Sequence, residues 1–215
     1  GRYPSGCLVY NNVWYHGSYC LTNVSDNPSD CGGVGWTKLG PFVGFRTSNV
    51  WDHYTTRWED GYWNPCPHTG GDSLFQENPS VAPVKIGAPH FVDFGCNLEH
   101  SPDGKAYLVA HGSTRPEDWN SWIQGDEVYL LRVAPESLND LSAYEFYAGK
   151  SSDGSAVWSK HFHEIQPLIR WDDNLGCVTM TYNAALKKYF MCITRGMEIA
   201  RYNTMILEAD SMTGP

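Results

Sequence analysis

The sequence predicts an all-β chain, arranged as a β-propeller of four-stranded antiparallel blades. Three observations lead there. Helix signals are thin, because few segments place apolar residues at i, i+3, i+4 and i+7 over three turns. Strand signals are abundant, as short apolar and aromatic runs bounded by Gly, Pro, Asn and Asp. One plan also recurs three times: an apolar strand, a tight turn, then an aromatic-rich strand. Four-stranded sheets repeated around an axis make a propeller. A β-sandwich with coincidentally similar hairpins is the competing arrangement.

The first unit opens with GCLVYNNVWYHGSYCL (6–21) and continues with FVGFRTS (42–48); YTTRWED (54–60) can serve as its fourth strand. The second runs through APHFVDFGCNLEHSPDGKAYLVAHGS (88–113), EVYLLRVA (127–134) and YEFYAG (144–149). Between the last two, PESLNDLSA (135–143) has Pro first and an early acid, as helix starts prefer, and makes a loop helix at most. The third unit is GCVTMTYNAALKKYFMCIT (176–194) followed by TMILEAD (204–210). The blades therefore span residues 1–70, 80–160 and 165–215 in outline. Tyr15, Tyr107 and Tyr189 recur at intervals roughly twice the ~40–50 residues of a minimal blade, so the units carry long loops. A closed ring needs at least ~4 blades. About three are represented and the last is incomplete, so a partial chain is expected; completion by other chains is the alternative.

Composition narrows the partners. The 215 residues carry a net charge of -9, with no run of Lys or Arg, which argues against nucleic acid. No apolar stretch approaches the ~18 residues of a membrane span. Nine Trp and 13 Tyr supply rings for packing between sheets and for stacking on sugars. Few lysines, many aromatics and the sequon Asn23-Val24-Ser25 favour a secreted, glycosylated protein. Among seven cysteines there is no CxxC. Cys7 and Cys20 flank the first hairpin, and Cys177 and Cys192 flank the third, so two disulfides pinning hairpins are one reading. Small buried apolar residues are the other. Cys31 and Cys66 can close the long first loop, leaving Cys96 over.

The patches GAPHFVDFG, SPDGKAYLVAHGS, WIQGDEVYLLRVAP, GCVTMTYNAALKKYFMCIT and MILEADSMTGP resemble secreted β-propeller glycan-active enzymes, in particular furanosidase-like glycoside hydrolases. The resemblance implies an enzyme acting on plant or microbial polysaccharide, with its active site in the funnel on the propeller axis. One departure stands out. Such propellers carry an acid at the start of the innermost strand in several blades, whereas here those positions read Ser5-Gly6, Pro89-His90 and Asn174-Leu175, with Asp173 close by. Polysaccharide lyases on propeller folds use His, Tyr and Arg, so a β-elimination reading stays open.

The catalytic candidates are His90, Asp93, His111 and Asp173. His90 and Asp93 are expected to open the second inner strand. His90 suits general acid or base work because imidazole titrates near neutrality; Asp93 can equally bond loop amides. His111 ends an apolar strand antiparallel to that one, where it can face the same funnel or simply mark where a buried strand meets water. The segment WNSWIQGDEVYL offers Trp122 and Asp126 as substrate-binding residues, with turn capping as the alternative for Asp126. EIQPLIRWDDNLGC is the densest cluster. Arg170 can fork a uronate carboxylate, Trp171 can stack on a ring, and Asp172, Asp173 and Asn174 follow. Paired carboxylates can divide acid and base roles. No P-loop, GxGxxG, HExxH or GxSxG occurs, so no nucleotide cofactor or catalytic zinc is expected. A calcium ion on the axis stays open without ligand spacing to argue for it. Three functions follow, in order: a glycoside hydrolase, a polysaccharide lyase and a non-catalytic carbohydrate-binding propeller.

Overall fold

The computed structural model describes residues 2–21, 39–49, 85–114, 121–138, 140–198 and 201–214. They form an all-β structure of three antiparallel sheets with a single α-helical turn. Sheet one is β1 (Arg2–Tyr10), β2 (Val13–Leu21) and β3 (Leu39–Asn49), in that order. Sheet two runs β4 (Lys85–Phe91), β5 (Ala106–Ser113), β6 (Gly125–Val133), β7 (Glu145–Lys150) and β8 (Ala156–Ser159), and β9 (Ile169–Leu175) pairs with β6 off that path. Sheet three is β10 (Val178–Asn183), β11 (Lys188–Glu198) and β12 (Arg201–Ala209). The helical turn α1 (Ser121–Gln124) leads directly into β6.

The hairpins form where local chemistry permits. Asn11 and Asn12 join β1 to β2 with φ of 49° and 62°. A two-residue hairpin of the primed type needs positive φ at both positions, which Asn tolerates. Asn183 caps the β10–β11 turn by accepting the Leu186 N–H at 3.0 Å. The stretch 135–143 forms two short 3-10 turns, in keeping with a loop helix at most.

Sheet two is the middle layer. All eight residues of β5 are buried, because both of its faces are covered. Leu8, Tyr10 and Tyr15 pack in from sheet one, and Val178, Met180, Met191 and Ile193 from sheet three. The first strands of the sheets meet. A Cβ added at Gly6 of β1 would lie 2.7 Å from the Cα of His90 and 2.7 Å from the N of Phe91, so only glycine lets these backbones approach. Beyond β4, the Asp93 N–H donates to the Met180 carbonyl at 2.9 Å and the Tyr182 N–H donates to the Asp93 carbonyl at 2.9 Å, a parallel bridge from sheet two to sheet three.

The outer part of sheet two is tied by charge. Arg132 donates from Nε to Glu145 at 2.7 Å and from Nη1 to Asp103 at 3.1 Å, and lies 4.1 Å over the Trp158 ring. Lys105 reaches the same Glu145 oxygen at 2.5 Å. Burial pushes the neighbouring Tyr107 phenol up to about 12.

Several expectations are corrected. β4 starts at Lys85, so His90 is its next-to-last residue and does not open it. The strand extends backward because Lys85, Ile86 and Gly87 find partners in Ser113, Gly112 and His111 of β5. Asp172 and Asp173 precede β10 of sheet three, as expected, but lie within a strand of their own, β9, which joins sheet two. The two expected disulfides are not formed: Cys7, Cys96, Cys177 and Cys192 are free thiols. Register explains this, since Cys7 lies opposite His16 and Cys20 opposite Arg2, while Cys192 lies opposite Thr179. Asn23, Cys31, Cys66 and the stretch 54–60 lie outside the described residues.

Candidate functional site

Strand direction divides the candidates between two ends of the sheets. Lys85 pairs with Ser113, Gly112 with Glu127, and Gly125 with Leu175. The start of β4, the end of β5, the start of β6 and the end of β9 therefore share one edge. Trp122 in α1, Asp126, Arg170, Trp171, Asp173 and Asn174 all belong to it, and His111 sits just inside. Asp93 is at the other end. It bridges Thr181, three residues into β10, whereas Asp173 precedes β10. Three strand steps alone amount to about 10 Å, so Asp93 and Asp173 do not form one centre.

The shared edge is built around a bulge. Arg170 of β9 pairs with Glu127 and Leu175 with Gly125. Four residues, Trp171 to Asn174, thus stand opposite Asp126 alone. A bulge unpairs residues and turns them outward. Here Asp173 takes φ 54°, in the left-handed region where Asp and Asn are at least strain among side-chain-bearing residues. Trp171 is 49% exposed, and Asp172 and Asp173 are exposed beside it. The Asn174 side chain donates to the Asp172 carbonyl and closes the loop on itself.

Glu127, which the sequence reading passed over, anchors the bulge. It is completely buried. Arg170 donates to its Oε1 from Nε at 2.7 Å and also from Nη2, and the buried Tyr129 hydroxyl donates to its Oε2. Glu127 and Tyr129 are two apart on one strand and so share a face. Burial pushes the Glu127 carboxyl above the usual carboxylate range; Arg170 opposes this, and Asp126 and Asp172 add to it. The Arg170 side chain is 61% exposed, so the guanidinium is held on one side and open to solvent on the other. A charged residue inside the apolar run EVYLL was the available signal.

The other candidates take quieter positions. Asp126 is 7% exposed and accepts from Thr114 twice, from N–H at 3.0 Å and from Oγ1 at 2.6 Å. It ties the residue after β5 to the start of β6 and does not cap a turn at Gly125-Asp126, which are both strand residues. His111 is 1% exposed and alternates to the face opposite Glu127, so it is enclosed in the sheet. His90 is partly buried, and burial lowers its pKa. Asp93 accepts the Gly95 N–H at 2.9 Å, the loop-amide role. Among the described residues no group of three or more His, Cys, Asp or Glu is placed to hold a metal ion, and no helix is long and apolar enough to cross a membrane.

No protein-family profile matches the sequence, and no curated protein matches it. Among solved structures, an exo-β-1,3-galactanase from Phanerochaete chrysosporium bound to β-1,3-galactotriose aligns over 98% of this chain and 48% of that chain, at 10% identity and a TM-score of 0.38. An α-L-arabinofuranosidase from Podospora anserina in complex with cellotriose aligns over 100% of this chain and 66% of its own, at 13% identity and 0.36. The catalytic domain of an α-L-arabinofuranosidase from Coprinopsis cinerea aligns over 100% and 66%, at 10% identity and 0.36. This chain spans about half the length of the galactanase and about two thirds of the arabinofuranosidases. At such distance these likenesses assign neither activity nor residues.

Proposed function

We propose that the chain belongs to a secreted carbohydrate-active enzyme that hydrolyses glycosidic bonds in plant or microbial polysaccharide, on a propeller of four-stranded blades. The observation that carries the reading is the bulge opposite Asp126. It sets the ring of Trp171 beside the exposed carboxylates Asp172 and Asp173, on a backbone clamped by Arg170 to buried Glu127. An aromatic face for a sugar and two carboxylates for acid and base work are the parts that glycoside hydrolysis requires. The contact of β1 with β4 and the bridge from Asp93, just after β4, to β10 support a radial arrangement, since the sheets meet beside their first strands.

In this reading Asp172 and Asp173 divide the proton work at the scissile bond, and Trp171 and Asn174 hold the sugar. Glu127 is enclosed and touches Arg170, so it positions and does not react. The lyase reading loses its main support. Arg170 is committed to Glu127 and stands near Asp126 and Asp172, a setting that disfavours a uronate carboxylate.

Mass analysis of products after incubating the intact native protein with plant and microbial polysaccharides tests the reading. Products carrying the elements of water are expected, and Asp173→Asn should lower the rate by about 10²–10⁴-fold while keeping the backbone conformation Asn tolerates. Unsaturated products, or binding without any product, would overturn it.

A further inference from the structure

The turn that follows β8 holds two histidines side by side. β8 ends at Ser159, and Phe162–Glu164 forms a 3-10 turn. Phe162 is buried edge-on against Phe146, with ring centroids 5.4 Å apart, and Ile165 is buried after it. With Phe162 turned into the core, its neighbours His161 and His163 both stand exposed. Their rings lie 5.5 Å apart, tilted by 32°. Ser159 pins the turn at both ends: its hydroxyl accepts the His161 N–H at 3.0 Å and donates to Glu164. The Glu164 N–H donates to the His161 carbonyl at 3.1 Å. The other carboxylate oxygen of Glu164, Oε1, stands 4.0 Å from His163 Nε2. β8 is the outer edge of sheet two, whose faces are already packed by sheets one and three. In a propeller the fourth strand forms the rim, so this position does not depend on further blades.

We infer that His161 and His163 together bind one divalent transition-metal ion. Imidazole nitrogen suits zinc, nickel and copper, and copper(II) heads the order of affinities. The Ser159 bonds fix the backbone of the turn, so rotation of two exposed side chains is all that brings their nitrogens onto one ion. Glu164 beside them offsets its charge. Magnesium and calcium take oxygen ligands and do not fit this pair. Two protein ligands are fewer than the closed shell of a structural zinc site; water completes the shell, and the ion exchanges. The site stands apart from the bulge. Ser159 pairs with Phe146, which pairs with Leu131, whereas the bulge faces Asp126. Five strand steps amount to about 17 Å. The inference is independent of the hydrolase reading.

Zinc(II) titration of the whole chain, followed by the Cε1–H resonances of carbon-13-labelled histidine, tests this. Zinc should shift His161 and His163 together and saturably, with one shared affinity, and magnesium should shift neither. His161→Gln or His163→Gln should weaken binding at the remaining imidazole at least ~10-fold, because the second ligand no longer adds within the same molecule. Glu164→Gln should weaken it about 2–5-fold, the worth of one exposed charge pair. Acid should release the ion, since ligation needs neutral imidazole. Asp173→Asn should leave binding unchanged, which separates this site from the bulge. All three positions of the turn are exposed, so the variants keep the fold. No shift at either histidine, a response from one imidazole alone, magnesium acting like zinc, or single-histidine variants that bind as tightly as the native chain would overturn the inference.

Discussion

Replacing Glu127 by alanine isolates what holds the bulge. The carboxylate is completely buried and takes hydrogen bonds from Tyr129 on one oxygen and Arg170 on the other. Tyr129 is itself fully buried, so Glu127→Ala leaves its hydroxyl without an acceptor, at about 1–3 kcal/mol. Arg170 is 61% exposed and regains water, so its side of the pair is worth only about 0–1 kcal/mol. The total centres on about 3 kcal/mol once the vacated space is included. In a chain of this size that lowers Tm by roughly 6–12 °C. Glu127→Gln keeps one acceptor and fills the space, so about one hydrogen bond is lost, on the order of 1 kcal/mol. Thermal unfolding followed by near-UV circular dichroism reads both variants, since Trp and Tyr dominate that signal. If Glu127→Ala melts within about 2 °C of the native protein, under 1 kcal/mol by the same conversion, the anchor argument is wrong.

Three further expectations concern other parts of the molecule. Because burial raises the Glu127 pKa, the fold holds that proton more tightly than the unfolded chain. Stability then falls as pH rises from the ordinary Glu value of about 4.3 through the folded pKa. Glu127→Gln cannot titrate, so its Tm relative to the native protein should improve over that rise; a gap moving the other way would mean that Arg170 outweighs burial. Arg132→Ala removes a part-buried bond to Glu145, an exposed one to Asp103 and the contact with Trp158, for about 2–4 kcal/mol in urea unfolding; a loss below about 1 kcal/mol would make the network ornamental. Finally, native thiol titration should label exposed Cys7 and Cys96 rapidly and Cys177 slowly, burial having raised its pKa. Peptide mapping that finds Cys177 joined to Cys192 would contradict the free thiols.

What the sequence disclosed followed the range of the interactions involved. Hairpins are local, so the Asn11-Asn12 turn and the strands around it could be read from neighbouring residues. The 106–113 run announced a buried strand by its apolar content, and 135–143 announced a short loop helix by its Pro and early acid, which forms as two 3-10 turns. The WDDN segment was singled out for its chemistry, but its partner strand was not visible. Arg170 meets Glu127 across 43 positions, and no local pattern encodes that pairing. Glu127 itself was passed over because a lone acid in an apolar strand acquires its meaning only from the arginine it meets. The cysteine pairings failed for a related reason: spacing around a turn does not fix register, and a shift of a few residues separates two thiols that flank the same hairpin. His90 was misplaced because the strand began at Lys85, three residues ahead of the 88–113 segment from which the second unit was read.

The attachment of β9 to β6 also bears on the order in which the molecule assembles. The β1–β2 and β10–β11 hairpins close over a few residues, whereas β9 must return across some forty to find the start of β6. Loop-closure entropy is lost before such a distant pairing is rewarded. The hairpins can therefore nucleate independently, and the strand that carries Arg170 to Asn174 docks afterwards on a surface already formed. Substitutions in β9 would then speed unfolding while leaving the folding rate nearly unchanged, the signature of contacts made after the barrier. Amide protons of β9 would likewise exchange through a partial opening that leaves β5 and β6 intact.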